Sequence, residues 1–202
     1  MSYRETLEFE LQQFQIDLDA TQKAGLVTYC EDLSRWNKKI NLTGLTGAPL
    51  VRRLVVEPVW IAQRLRMNGV LLDIGSGNGS PAIPLHVVAH FQNCQLVEAR
   101  SRRAAFLRHL SGRLNLREVV VHRAKFEDVL MEIQAPEWIT LQAVVLTPEL
   151  MNLIRRISTR ATTTAWITSA NVSADVEPAE IVSVPNTGTQ VLLFKSGCDN
   201  PT

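Results

Sequence analysis

The segment Val70–Pro81 carries the pattern of residue types best suited to holding a small ligand. Apolar residues there lead into a short stretch with glycines at positions 75, 77 and 79. Glycine lets a backbone turn sharply and approach a ligand, because no Cβ stands between them. Glu98 follows Gly79 at close to the spacing of about 20 residues at which an acidic side chain receives ribose hydroxyls. The pattern predicts a strand, a turn that binds a nucleoside, and a helix.

Two residues around this turn distinguish between kinds of nucleotide. Ser80 stands where the dinucleotide fingerprint has its third glycine, so tight helix packing around a pyrophosphate is disfavoured. Asp73 precedes the turn, and its carboxylate can hold the positively charged amino-acid end of S-adenosylmethionine, directly or through water, but would repel a pyrophosphate. The alternatives are a tight turn without ligand and, for Glu98, a solvated strand end. S-adenosylmethionine is the favoured ligand.

The elements that position these residues belong to the second of two regions. In residues 1–67, apolar residues such as Leu7, Leu11 and Leu18 recur on one helix face, which predicts a helical extension. In residues 68–202, short apolar runs alternate with amphipathic stretches, as in βαβ units. We expect an α/β fold with an open, Rossmann-like sheet. The second region would bind S-adenosylmethionine.

Apolar runs set the predicted bounds of the strands and helices. The predicted strands are Val70–Ile74, Gln95–Glu98, Val119–His122, Leu141–Leu146 and Thr162–Thr168, and an antiparallel edge hairpin is predicted from Ile181–Val184 and Gln190–Lys195. The predicted helices lie near Pro81–His90, Arg102–Leu114, Phe126–Met131 and Pro148–Ser158. Asp19 and Gln22 are spaced as a capping box at the start of an earlier helix.

The net charge of +1 hides two basic segments. Glu57 is the only acidic residue in residues 35–66, and Glu118 is the only one in residues 100–125, although both segments are rich in arginine. Segregated positive charge favours a polyanionic partner, because neutralising phosphates releases counterions. A solvated helix face is the alternative. The residues predicted to contact RNA are Arg35, Lys38, Lys39, Arg52 and Arg53.

Composition also bears on location and metal content. Three cysteines leave an odd thiol and form no metal-type cluster, which indicates a reducing compartment and no metal. No stretch approaches the roughly 18 apolar residues of a membrane span, and the acidic N-terminus is unlike a signal peptide. We expect a cytoplasmic monomer without a membrane partner.

Two longer motifs carry a family resemblance. Trp36–Thr43 (Trp-Asn-Lys-Lys-Ile-Asn-Leu-Thr) and Leu72–Leu85, which contains the glycine turn, resemble the RsmG/GidB family of bacterial small-subunit ribosomal RNA guanine-N7 methyltransferases. The resemblance implies a class I methyltransferase fold with a helical N-terminal extension. It also implies S-adenosyl-L-methionine as cofactor, and small-subunit ribosomal RNA or its assembly particle as partner.

Carried over by position, the resemblance places the methionine part of the cofactor over Gly75 and Ser80, with the ribose at Glu98. The adenine would lie near Ala124 and Lys125. This chain departs from the family at two positions. The family usually has a bulky apolar residue at the position of Ser80 and a histidine at the position of Arg53.

The substrate side departs further from the family. Thr147 stands where the family has an arginine after the fourth strand, and Ser169-Ala170 replaces a Lys-Gly pair after the fifth. We therefore assign Thr147 to the substrate pocket and name no catalytic base, because guanine N7 carries a free lone pair. The alternatives are a methyltransferase with another substrate, and a silent paralogue that binds RNA or a ribosomal particle.

Overall fold

The computed structural model describes residues 1–89, 91–169 and 177–196. Ala170 lies outside these residues. The N-terminal extension is helical, as predicted, and a π-helical turn at Arg52–Val56 joins its last two helices. These helices are α1 (Tyr3–Gln13), α2 (Ala20–Asn37), α3 (Gly47–Val51) and α4 (Glu57–Leu65). The predicted capping box at the start of α2 is present: the Gln22 amide N–H donates to the Asp19 carboxylate over 2.8 Å.

The described residues after the extension build a seven-stranded sheet with the order β3-β2-β1-β4-β5-β7-β6. Its strands are β1 (Val70–Ile74), β2 (Asn93–Val97), β3 (Val119–His122), β4 (Trp138–Gln142), β5 (Thr163–Ser169), β6 (Glu180–Ser183) and β7 (Thr189–Lys195). Strands β1 to β5 are parallel, and β7 runs antiparallel to both β5 and β6. The predicted α/β fold with an antiparallel edge hairpin is confirmed.

Three helices cover this sheet: α5 (Ala82–Ala89), α6 (Ser101–Arg113) and α7 (Pro148–Ile157). Buried residues of the extension, among them Leu26, Leu33 and Val55, share one apolar core with Ile83 of α5 and Phe106 of α6. A second core lies beneath α7. The extension therefore packs on the same layer as α5 and α6.

Two predicted elements were wrong. The helix predicted at Phe126–Met131 is only a 3-10 turn over Phe126–Asp128. This single turn is enough to bury both apolar side chains of the segment's start, Phe126 and Val129, so their burial requires no longer helix. The fourth strand is Trp138–Gln142 rather than Leu141–Leu146, because it pairs with both β1 and β5 and ends where Ala143 adopts a φ of 56°.

Cys30 and Cys94 are buried free thiols. In the described part of the chain, no cluster of three or more His, Cys, Asp or Glu side chains could hold a metal ion. Across those same residues, no helix is both long enough and apolar enough to cross a membrane.

Candidate functional site

The glycine turn joins the carboxyl end of β1 to α5. The amides of Gly75 and Ser76 both donate to the carbonyl oxygen of Val97 at the end of β2, over 2.9 and 3.0 Å. Gly77 has a φ of +47°, which an L side chain adopts only at a cost. The turn thus lies at the edge of the sheet where parallel α/β folds bind their ligands.

A cavity of about 830 Å³ opens over this turn. Gly75–Asn78 and Ser80 form one side of it, and the last residue of β4 with the loop that follows, residues 142–146, forms another. The end of β5 and part of the extension contribute the rest: Trp166–Ser169, Leu42, Thr43, Leu45, Arg53 and Leu54. Arg103 of α6 also lines the cavity. The structure therefore brings the predicted residues Gly75, Gly77 and Ser80 together at one cavity.

Asp73 lies on β1 just before the turn and is almost fully buried. The Thr140 hydroxyl on the neighbouring β4 donates to its Oδ1 over 2.6 Å. Its Oδ2 has no hydrogen-bond partner among the described residues. Burial raises the pKa of Asp73 from 3.8 to about 6, against the lowering effect of the Thr140 hydrogen bond. Asp73 is thus a buried carboxylate with an unused acceptor beside the turn.

Glu98 is also buried, immediately after β2. Its carboxylate accepts hydrogen bonds from the amide of Gly77 over 3.0 Å and from the amide of Arg100 over 2.7 Å. An ionised carboxylate has about four lone-pair positions, so two remain for a ligand diol. Glu98 therefore holds the glycine turn in place and keeps the capacity to accept further hydrogen bonds.

Gly79 does not line the cavity, and its Cα packs against side chains of the core. A Cβ on Gly79 would lie 3.1 Å from Ile83 and 3.5 Å from Tyr29 of α2. The buried Tyr29 hydroxyl donates to the carbonyl of Asn78 over 3.2 Å. The extension therefore supports the turn from behind, and Gly79 serves this close packing.

Six of the residues predicted to bind cofactor or substrate do not line the cavity: Asp73, Gly79, Glu98, Ala124, Lys125 and Thr147. Ala124 and Lys125 follow β3, where Lys125 lies 3.6 Å from the Glu127 carboxylate. Thr147 is the N-cap of α7, and its hydroxyl accepts from the Leu150 amide over 3.2 Å. Because β4 ends at Gln142, the cavity wall is the loop before Thr147 and stops at Leu146.

Three residues predicted to contact RNA are held in ion pairs, and two of them, Arg52 and Arg35, lie away from the cavity. Arg52 makes a bidentate pair with the buried Glu10 of α1, over 2.8 and 3.0 Å. Arg35 pairs over 2.8 Å with the buried Asp32. Both side chains remain partly exposed, but each is oriented by a carboxylate of the extension itself.

Arg53 lies on the cavity wall, paired over 2.8 Å with Glu57. The Thr189 hydroxyl of β7 donates to the same Glu57 oxygen, which anchors the pair to the sheet. Lys38 and Lys39 are exposed beyond the end of α2. Of the five predicted residues, Arg53 is the one that lines the cavity.

Sequence reasoning missed several residues that line the cavity, chiefly Gln142, Trp166 and Arg103. The Ser80 hydroxyl donates to Gln142 Oε1 over 3.1 Å, and the Trp166 indole N–H donates to the Val144 carbonyl over 3.0 Å. A correct end of β4 would have indicated Gln142. Arg103 stands in the basic segment 100–125, but its position over Gly77 depends on how α6 packs.

Comparison with known proteins now bears on this site. A family model described as GidB, rRNA small subunit methyltransferase G, matches residues 22–184. The chain belongs to this family. The prediction made from the Trp36–Thr43 and Leu72–Leu85 motifs is thereby confirmed.

The curated relatives carry the same description, ribosomal RNA small subunit methyltransferase G. A Wolinella succinogenes protein is 27% identical over 192 residues, covering 95% of this chain and 98% of the relative. A Geotalea uraniireducens protein is 34% identical over 115 residues, covering 56% of this chain. In that second match the chain spans 52% of the relative, about half its length.

Solved structures share the fold at low sequence identity. A mutant of MtNAS in complex with S-adenosylmethionine is 16% identical, with a TM-score of 0.56 over 93% of this chain and 75% of that one. Precorrin-6y C5,15-methyltransferase from Geobacter metallireducens is 15% identical, with a TM-score of 0.52 over 70% and 90%. These similarities establish the architecture.

Proposed function

We propose that this chain transfers a methyl group from S-adenosylmethionine to a guanine N7 of small-subunit ribosomal RNA. The observation that carries the proposal is the chemical character of the cavity lining. Among the described residues that line it, there is no Asp, Glu, His, Cys, Lys or Tyr. The cavity therefore offers no ordinary base to remove a proton, and N7 needs none because it reacts through a lone pair.

The residues around the turn fit the cofactor. S-adenosylmethionine, when bound, supplies an electrophilic methyl group on a positively charged sulfur. Gly75 and Gly77 present bare backbone to the cavity, Asp73 has a free buried oxygen, and Glu98 has lone pairs to spare. We assign the amino-acid end of the cofactor to Asp73 and the ribose to Glu98. Ala124 and Lys125 remain the proposed adenine contacts.

The charges around the cavity suit one cationic and one anionic ligand. Asp73 and Glu98 are buried next to the turn, while Arg53 and Arg103 line the cavity. The two carboxylates attract the positively charged sulfonium to the turn, and the two arginines attract the negatively charged RNA to the cavity lining. The residues of the cavity then act by aligning guanine N7 with the methyl group of the cofactor. Such orientation alone can lower the activation free energy by about 7–11 kcal/mol.

The partner and the setting follow from the same proposal. We infer that small-subunit ribosomal RNA, naked or within an assembly particle, is the macromolecular partner. Residues 1–67 would supply RNA contacts through Arg35, Lys38, Lys39, Arg52 and Arg53. We also propose that the chain acts as a monomer in the cytoplasm.

Transfer of a radiolabelled methyl group to undermethylated small subunits tests the proposal, with mass mapping of the modified nucleotide. The expected result is a single guanine methylated at N7, and loss of both labelling and cofactor binding in Gly77→Val. Labelling at another atom would refute N7 as the acceptor. Labelling of another RNA would support a methyltransferase with a different substrate.

A silent RNA-binding paralogue is the second candidate. Thr147 replaces a family arginine, and its hydroxyl is engaged in capping α7 rather than in facing the cavity. Measurable cofactor binding without methyl transfer, at every stage of subunit assembly, would favour this candidate.

A further inference from the structure

A second cleft, of about 530 Å³, lies beside the cavity. It runs between the loop after α2 and the start of α6, and we call it the basic cleft. Its lining consists of Lys39, Ile40, Asn41 and residues 100–103. Arg103 lines both the basic cleft and the cavity, so the two adjoin through one guanidinium group.

The basic cleft concentrates unbalanced positive charge. Lys39, Arg100, Arg102 and Arg103 all line it, and none of them forms an ion pair with an acidic side chain in the described parts of the chain. Glu98 lies close in sequence, but it is buried and accepts from two backbone amides. Four uncompensated cations in one concave surface attract an anionic ligand.

Contacts across the cleft hold its two sides together. Arg103 donates to the carbonyl of Asn41 over 3.3 Å, which links α6 to the loop after α2. The next residue, Leu42, accepts from the Asn78 side chain over 3.5 Å. The basic cleft is therefore attached to the glycine turn by this loop, at a set position relative to the cavity.

We propose that the basic cleft binds backbone phosphates of the RNA strand next to the base that enters the cavity. This inference rests on the proposed function, because it takes the cavity as the place where the base is held. Proteins that act on an exposed base hold the flanking strand through its phosphates, and those contacts position the strand without reading its sequence. Lys39, Arg100 and Arg102 would provide these contacts, with Arg103 at the junction.

The lining favours RNA over a membrane surface. Proteins that bind membranes at the interface insert apolar side chains such as Trp, Phe or Leu beside their basic residues. The exposed large apolar side chains among the described residues are Met1, Phe9, Val120, Met131, Val145 and Ile181, and none of these lines the basic cleft. The basic cleft is concave, and it carries unpaired cations but none of these exposed apolar side chains. These properties match the phosphodiester backbone of a nucleic-acid strand.

The test compares two charge-matched double variants of the full chain. One is Arg100→Gln with Arg102→Gln in the basic cleft. The control is Arg64→Gln with Arg66→Gln, two exposed arginines outside the basic cleft and the cavity. The probe is a fluorescent single-stranded RNA of about 12 nucleotides, measured by anisotropy. Each lost phosphate contact should flatten the logarithmic salt dependence by about 0.7 between about 50 and 200 mM salt, so the cleft pair should lose about 1.4 and the control almost nothing.

Three results would overturn the inference: an unchanged salt slope in the cleft pair, an equal loss in both pairs, or wild-type binding to anionic phosphatidylserine vesicles without binding to RNA. Methyl transfer and cofactor calorimetry on the same proteins separate this inference from the proposed function. RNA binding through the cleft without methyl transfer by the wild type would remove the proposed function alone. Normal methyl transfer with unaffected cleft variants would remove the basic cleft alone.

Discussion

Replacing Gly77 by alanine separates backbone strain from loss of ligand binding, because Gly47 provides a matched control. Gly77 has a φ of +47° and Gly47, at the start of α3, a φ of +57°. A Cβ at Gly77 would meet no atom closer than 3.6 Å, and a Cβ at Gly47 nothing within 4 Å. Neither substitution creates a clash, so both should lower the free energy of unfolding by the left-handed backbone cost of about 1–2 kcal/mol.

Of the two glycines compared, Gly77 lines the cavity and Gly47 does not, so Gly77→Ala should weaken cofactor binding and Gly47→Ala should not. At Gly77 the added Cβ also occupies space beside the backbone that the ligand approaches, 3.6 Å from Arg103 on the cavity lining. A loss of about 1–2 kcal/mol of ligand contact corresponds to an S-adenosylmethionine Kd about 5 to 30 times higher. Gly47→Ala should leave that Kd unchanged. Thermal denaturation and isothermal titration calorimetry measure the two quantities separately.

Two outcomes would refute this reasoning. If Gly77→Ala loses stability but keeps its cofactor affinity, the turn does not hold the ligand. If both variants lose affinity equally, the loss comes from general destabilisation. Gly77→Val should bind no detectable cofactor, because a β-branched side chain fits the left-handed region poorly.

Three further predictions concern single side chains. Asp73 holds its proton more tightly in the folded chain than its ordinary pKa of 3.8 would allow, so its contribution to the free energy of unfolding should fall by about 3 kcal/mol as pH rises from about 3 to about 7. Denaturant titrations at both ends of this range should show a pH dependence smaller by that amount in Asp73→Asn than in the wild type, and an equal dependence would contradict the prediction. Arg53→Gln should lower kcat/KM for undermethylated subunits about tenfold at unchanged cofactor Kd, whereas a change confined to the salt slope of RNA binding would make Arg53 a phosphate contact. Thr147→Arg should cost about 1 kcal/mol of stability through the lost helix cap and should not raise methyl transfer, and a rise would place Thr147 at the substrate.

Local chemistry explains why some features could be predicted from the sequence. The capping box of Asp19 and Gln22 spans one helical turn, and the turn after β1 needs glycine within a few residues. Such features depend on neighbours along the chain, so residue type and spacing are enough to recognise them. The family motifs at Trp36–Thr43 and Leu72–Leu85 are equally local.

Pairing between strands explains the misplaced fourth strand. Residues 141–146 form the more apolar run, yet Trp138–Gln142 pairs with β1 on one side and β5 on the other. Apolar periodicity carries no information on this register. The family position places the substrate pocket at Thr147, whereas Gln142 to Leu146 line the cavity.

By itself, the sequence of this protein determined most of the order of its elements, the glycine turn and the family, because these depend on residue type and short spacing. Only the tertiary structure decided which positive charges are available. Arg52 is committed to Glu10, 42 residues away, while Lys39 and Arg103 meet in one unpaired cleft from segments 64 positions apart. Charge pairing depends on distances in space, and those distances are set by how the helices pack on the sheet.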